Sequence, residues 1–262
     1  MQIKPYSPIG LLILLETMLL YACTADEWIS HPENDMVQLS AAITPLSGST
    51  RAHVGDKGNE SFQVDDKITL FVTPQGEFSS GTLGRTMRLT TEGWSPKLAW
   101  QEIAGEQVTF TAFYPEMSDC NSEIFTHTVA SDQRLTELFA KSDLLAASIE
   151  VGRGNAVSLN FRHWMGLIEL HLTSNTFTPE QLSEAVIHIQ ACPSVQIQTI
   201  PVPEVMQPVE TQVEDIIFHQ GEPNVYHVIL PPQLIQETWR RKWIEIELEG
   251  NTYVYGAPPE LN

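Results

Sequence analysis

Gln107-Val108-Thr109-Phe110-Thr111-Ala112-Phe113-Tyr114, closed by Pro115, is the stretch that decides the fold. Valine, threonine and aromatic residues pack well on a pleated surface. Proline cannot donate to a ladder, so the run reads as a strand with a hard stop. Upstream, Lys67 to Thr73 is β-branched and aromatic and ends at Pro74-Gln75-Gly76, and Thr82 to Thr90 carries Leu83, Met87 and Leu89. Earlier still, Val37, Leu39, Ala41 and Ile43 alternate with polar or small residues, the period of a half-buried strand. Between these, Thr44 to Glu60 is rich in Pro, Gly, Ser and charge and reads as a loop, with Ser49-Thr50-Arg51-Ala52 inside it.

Downstream the pattern repeats. Trp94, Pro96 and Trp100 bracket a short piece, and Ser118 to Ser122 is a loop. Ser142–Ser148 and Val157–Phe161 read as strands separated by the turn Gly152-Arg153-Gly154-Asn155, and Met165–Leu172 is the most apolar strand after the N-terminal region. Thr178-Pro179-Glu180-Gln181-Leu182-Ser183 predicts one helical turn, with Thr178 as N-cap and Pro179 at the first position. Further strands are predicted at 185–191, 195–200, 213–219, 225–230, 243–248 and 252–255, with Pro201, Pro203 and Pro208 in a stiff extended loop. Many short strands between Pro/Gly turns predict an all-β fold built of sandwiches. The best domain break falls near Arg162–Trp164, which gives an N-terminal β-sandwich over 23–162 and a C-terminal one over 163–262.

The first residues read differently. An apolar run from Ile9 to Leu20 follows Lys4, and Leu20-Tyr21-Ala22-Cys23 follows the run. A basic start, an apolar core and small residues before a cut make a secretory signal, residues 1–22, and about 12 residues is too short for a span of about 20. The tetrapeptide resembles a bacterial lipobox, which implies acylation of Cys23, palmitate included, and anchoring in the outer membrane. Several acyl chains on one residue hold firmly where one is marginal. A buried N-terminal helix that happens to hold a cysteine is the alternative. Asp26 and Glu27 resemble the acidic export signal of surface lipoproteins.

The formal charge is −19 with only 14 Lys+Arg, a surface that repels phosphate backbones and argues against nucleic acid as a partner. After Cys23 the cysteines are Cys120 and Cys192, far apart in sequence, and both a disulfide and two separate thiols stay open. No Gly-x-Ser-x-Gly elbow, phosphate-cradling glycine loop or His-Glu-x-x-His pair is present, so no enzyme, cofactor or metal is expected. His163, His171 and His188 are candidate metal ligands across a sheet, outweighed by structural roles. Glu245, Glu247 and Glu249 alternate with apolar residues and line one strand face; a solvated edge outweighs paired-carboxylate chemistry there. Trp94, Trp100, Trp164, Trp239 and Trp243 are read mainly as core, with sugar stacking as the alternative.

Several pieces together resemble the fimbrillin-like lipoproteins of Bacteroidetes. They are Asp65-Asp66-Lys67-Ile68-Thr69-Leu70-Phe71, Val108 to Pro115, Ser142-Asp143-Leu144-Leu145-Ala146-Ala147, Val157 to Met165 with His163, and Leu230-Pro231-Pro232-Gln233. The resemblance implies two transthyretin-like β-sandwiches in series on a fimbrial structural, anchor or accessory subunit that supports adhesion. It implies partners among other fimbrial subunits, and surface ligands of host or bacteria, with assembly by strand exchange: Val37–Ile43 as the removable strand and Arg51-Ala52 as the cut. Asp65 stands where the family usually has Gly. The chain stops at Asn262, soon after Thr252–Tyr255, so the second sandwich is expected to lack its last strand. A surface glycan-binding lipoprotein is the alternative function.

Overall fold

The strand predicted over Gln107–Tyr114 forms with those bounds and lies in the middle of a seven-stranded sheet. The computed structural model describes residues 35–45, 61–74, 82, 84–117, 123–199, 207–208, 213–235 and 241–257. The strands in chain order are β1 (Leu39–Ile43), β2 (Lys67–Pro74), β3 (Arg85–Thr90), β4 (Gly93–Ser95), β5 (Gln107–Tyr114), β6 (Ile124–Thr128), β7 (Leu145–Gly152), β8 (Val157–His163), β9 (Gly166–His171), β10 (Val186–Ala191), β11 (Ser194–Gln198), β12 (Gln207–Pro208), β13 (Glu214–Ile217), β14 (His219–Gln220), β15 (Val225–Leu230), β16 (Ile244–Leu248) and β17 (Asn251–Tyr255). Two short helices interrupt them, α1 (Thr136–Ser142) and α2 (Pro179–Leu182). The fold is all-β, as the strand pattern predicts.

The large sheet runs β1-β8-β7-β5-β2-β3-β4. Every neighbouring pair is antiparallel except β1 and β8, which are parallel. Its two ends approach one another: Val37 N donates to Leu98 O at 2.8 Å and Met36 bridges Ala99. The other sheets run β13-β10-β16-β17, β12-β11-β6 and β14-β15-β9. Residues 36–262 form one compact unit.

Two cores fill the spaces. Ile68, Leu70, Val108, Phe110, Leu159 and Phe161 pack inside the curl of the large sheet with Trp94 and Trp100. The opposite face of the same sheet gives Phe71, Phe113 and Ala146 to a second core, shared with β10, β11, β15 and β16. Phe113 sits edge-on to Phe71 at 6.2 Å and to Phe125 of β6 at 5.2 Å. This explains why Ile68 to Phe71 is buried without a break: a strand covered on both faces has no solvent side to alternate with. The chain crosses between the cores in both directions, since β6 pairs with β11.

One local reading changes, and two elements appear where the sequence made no prediction. Ser142–Ser148 was expected to be a strand, but Ser142 closes α1, its hydroxyl accepting from Ala130 N at 3.0 Å and donating to Leu138 O at 2.9 Å, and β7 starts three residues later. β6 and α1 carry no strong sequence signal. β6 is nearly all exposed or half-buried, and α1 has Leu135 at its N-cap with no side-chain cap. The turn at Thr178 forms as predicted, with a capping box: Gln181 N donates to Thr178 Oγ1 and Thr178 N to Gln181 Oε1.

Candidate functional site

The alternation of Val37, Leu39, Ala41 and Ile43 places those side chains on the core face of an edge strand. Val37 and Ile43 are buried, Leu39 and Ala41 half-buried, and Gln38, Ser40 and Ala42 face solvent. β1 lies in register with β8 from Leu39 opposite Val157 to Ile43 opposite Phe161. Val157 N donates to Gln38 O and Thr44 N to Phe161 O, at 2.9 and 2.8 Å. Beside it on β8, facing the same core, lie Val157, Leu159 and Phe161, all essentially inaccessible. An edge strand held by one ladder and a row of inserted side chains is the arrangement that strand exchange needs.

Among the described residues a second edge is left uncovered. On β17, Tyr253 and Tyr255 lie opposite Ile246 and Ile244 and so share the core face of their sheet, yet they are 37% and 56% exposed. On β9, Ile168 and Leu170 share a face with buried Val228 and Tyr226 but are themselves half-buried. Phe177 meets Tyr253 edge-on at 6.3 Å, and Trp243 N donates to Tyr255 O at 2.8 Å. An apolar cleft of about 230 Å³ adjoins β9 and is lined by Ile168, Leu230, Pro231, Gln233, Ile235 and Trp243 among others. Among the described residues β9 is laddered only to β15, and β17 only to β16.

The motif residues have structural work. Asp143 and His163, from two separate motifs, meet in a buried pair, with His163 Nδ1 at 2.9 and 3.0 Å from the carboxylate oxygens. Trp164 N donates to Leu144 O beside them, so the pair pins the passage from β8 to β9. Gln233 presents its side-chain amide to one residue as a strand would: Oε1 accepts from Cys192 N at 2.8 Å, and Nε2 donates to Cys192 O at 3.1 Å. Asp65 has φ of +83°, which is why glycine suits that position, and its carboxylate pairs with Arg88. Tyr114 Oη donates to Asp66 at 3.3 Å, and burial, then the Asp66 charge, pushes the phenol far up.

Sequence candidates fall as follows. Cys23, Arg51, Ala52, Cys120 and Trp239 lie outside the described residues, and Cys192 is buried. His163 turns to Asp143, His171 and His227 share Glu169 at 2.6 and 3.2 Å, and His188 lies on β10, so among the described residues the three candidate histidines form no metal-holding group. No group of three or more His, Cys, Asp or Glu among the described residues is arranged to hold a metal. Glu245 and Glu247 point away from the core, and Lys242 pairs with Glu245. Trp94 and Trp100 are core residues. Sequence reading missed Gln133, fully buried, whose amide accepts from Ile229 N and donates to Ile229 O at 2.9 and 2.8 Å; a lone glutamine in a polar stretch gives no signal.

A family model described as fimbrillin-like matches residues 50–261. Among solved structures, a candidate cell adhesion protein from Bacteroides uniformis is 16% identical with a TM-score of 0.61, the match covering 87% of this chain and 88% of that one. A candidate cell adhesion protein from Bacteroides ovatus is 18% identical with a TM-score of 0.59, covering 85% and 86%. A fimbrial protein from Bacteroides ovatus is 16% identical with a TM-score of 0.50, covering 86% of this chain and 46% of that one. At these identities the likeness is one of fold. A search of curated proteins finds no match.

Proposed function

The chain belongs to the fimbrillin-like family, and from that premise we propose that it is a cell-surface fimbrial or adhesion subunit that joins its partners by exchanging β-strands. In this reading residues 1–22 are removed, acylated Cys23 holds the protein in the outer membrane facing outward, and two sandwiches in series, 23–162 and 163–262, form the exposed body. Arginine-specific cleavage between Arg51 and Ala52 frees β1, and a strand from the next subunit takes its place.

The observation that carries the reading is the seating of β1: an edge strand, joined by one parallel ladder, with alternate side chains in apolar pockets. Main-chain hydrogen bonds then supply affinity and the pockets supply register. The half-exposed inner faces of β9 and β17 support a second place for a partner strand. The glycan-binding alternative loses support with Trp94 and Trp100 buried in the core.

Mass spectrometry of the cell-surface protein tests this directly. The expected forms are an acylated chain starting at residue 23 and, after arginine-specific protease, a chain starting at Ala52 that runs as a ladder of polymers in non-denaturing electrophoresis. A chain that starts at Ala52 and stays monomeric at high concentration would sink strand exchange. A Cys23→Ser protein still processed and retained in the outer membrane would sink the lipid anchor.

A further inference from the structure

The edge at β17 carries information about what it would accept. Its inner face, Tyr253 and Tyr255, continues the apolar face of Ile246 and Ile244 and stays exposed. Its outer face is small and uncharged, Thr252 and Val254, and behind it stand Glu247, opposite Thr252, and Glu245, opposite Val254. Glu245 is already paired with Lys242, at 2.5 Å. Glu247 is exposed, and no cation among the described residues pairs with it or with Glu249, whose carboxylate meets only the amide of Gln181. A bare edge strand with no charge of its own invites a further strand.

We infer that β17 accepts an extended segment of another protein whose inward residues are apolar and whose outward residue opposite Thr252 is lysine or arginine. This rests on the strand-exchange reading above and names the chemistry of the partner at this second edge. A strand added to β17 lies two strand spacings, about 10 Å, from β16. Long side chains from either side then close over Thr252, whose own side chain is too short to stand between them. The cation answers the Glu247 carboxylate, and Glu249 adds to the same field. Inward, apolar side chains cover Tyr253 and Tyr255. The whole chain, at −19, reinforces the choice by repelling acidic partners. β1 of a second copy offers the apolar alternation but only Gln38, Ser40 and Ala42 outward, so it meets half of the requirement.

Three short blocked peptides test the inference on the full mature chain, one alternating valine with lysine, one valine with threonine and one valine with glutamate. Binding is read by fluorescence anisotropy at low and high salt. The lysine peptide is expected to bind about tenfold more tightly than the glutamate peptide, with threonine between. High salt should shrink that gap, Glu247→Gln should reduce it, and Tyr253→Ala with Tyr255→Ala should weaken all three peptides. Both glutamine and alanine here are exposed changes that leave the core intact. Equal binding of the lysine and threonine peptides, or a gap untouched by Glu247→Gln, overturns the cationic partner. Failure of every peptide to bind overturns β17 as an acceptor. The polymer ladder of the Ala52 form, run beside it, reports separately on exchange at β1.

Discussion

β1 and β17 are both edge strands, and they treat their core faces in opposite ways. At β1 the strand's own row is covered, with Val37 and Ile43 buried and Leu39 and Ala41 half-buried, and the neighbouring row Val157, Leu159 and Phe161 is sealed, Phe161 meeting Phe62 edge-on at 5.0 Å. At β17 the neighbouring row, Ile244 and Ile246, is buried too, but the strand's own Tyr253 and Tyr255 are left more than one-third exposed. The difference shows what one strand of alternating small apolar residues achieves. Four small side chains along one edge are enough to keep the row behind them dry, whereas two large tyrosines at the other edge dry the row behind them and stay exposed themselves. The described residues therefore show one covered edge and one uncovered edge.

The sharpest way to break this contrast is to truncate one aromatic residue from each row. Phe161→Ala is expected to destabilise by about 3–5 kcal/mol through lost burial and a cavity, read by urea denaturation. Tyr255→Ala is expected to fall within about 0.5 kcal/mol, as an exposed change does. A loss at Tyr255 comparable to that at Phe161 would mean that the β17 face is closed in solution, and the contrast would fail.

Gln233 probes how the receptive edge is finished. Its amide bonds both main-chain groups of Cys192 and also donates to Pro231 O at 3.1 Å, so one side chain does the work of a strand at the rim of the cleft. Gln233→Ala strips those partners and is expected to cost about 1–3 kcal/mol. Glutamate keeps one oxygen to accept from Cys192 N but cannot donate, so Gln233→Glu should recover only part of the loss. A full recovery would show that the contact to Cys192 O contributes nothing.

His127 reports on the passage between the two regions, since β6 carries the chain from the large sheet to β11. Its Nε2 lies 3.0 Å from Ser142 O. Burial lowers its pKa from the ordinary 6.5, with the Ser142 carbonyl and the Asp143 charge opposing in part. A histidine held neutral by the fold contributes its stability above the unfolded-state pKa and loses it as pH falls through that range. Stability is therefore expected to decline as pH drops below about 6.5, and His127→Gln, which keeps an N–H for Ser142, should decline less. Parallel curves for the two proteins would rule His127 out as a contributor.

Alternation made most of the ladder legible: the run at 37–43 marks an edge strand and the run at 107–114 a covered one. What it could not show was that β1 pairs with β8, over a hundred residues away and in parallel, because period gives a face and no partner. β6 and α1 escaped because one carries almost no buried side chain and the other no N-cap. The open face escaped for a different reason. Ile168, Leu170, Tyr253 and Tyr255 have the pattern of any core row, and exposure there depends on what lies beside them in the fold, which the period does not give. Likewise His163 and Gln233 were visible as motif residues, but only the fold brings Asp143 and Cys192 to them.

Asp65 offers the smallest effect and the finest test of how a motif residue is read. Its φ of +83° is a conformation that side chains rarely adopt and glycine adopts freely. Asp65 N donates to Leu89 O at 2.9 Å, so the turn before β2 is tied to β3 and cannot relax away from that angle alone. The compensation on offer is the pair with Arg88, and both partners are more than half exposed, so it contributes about 0–1 kcal/mol. Asp65→Gly relieves the strain, gives up that pair and loosens the unfolded chain, so the net change is expected within about 1 kcal/mol of zero. Salt separates the opposing effects. At high salt the ion pair is screened and the glycine variant should gain on the wild type. If instead the variant loses ground as salt rises, the Arg88 contact is not what offsets the strained turn.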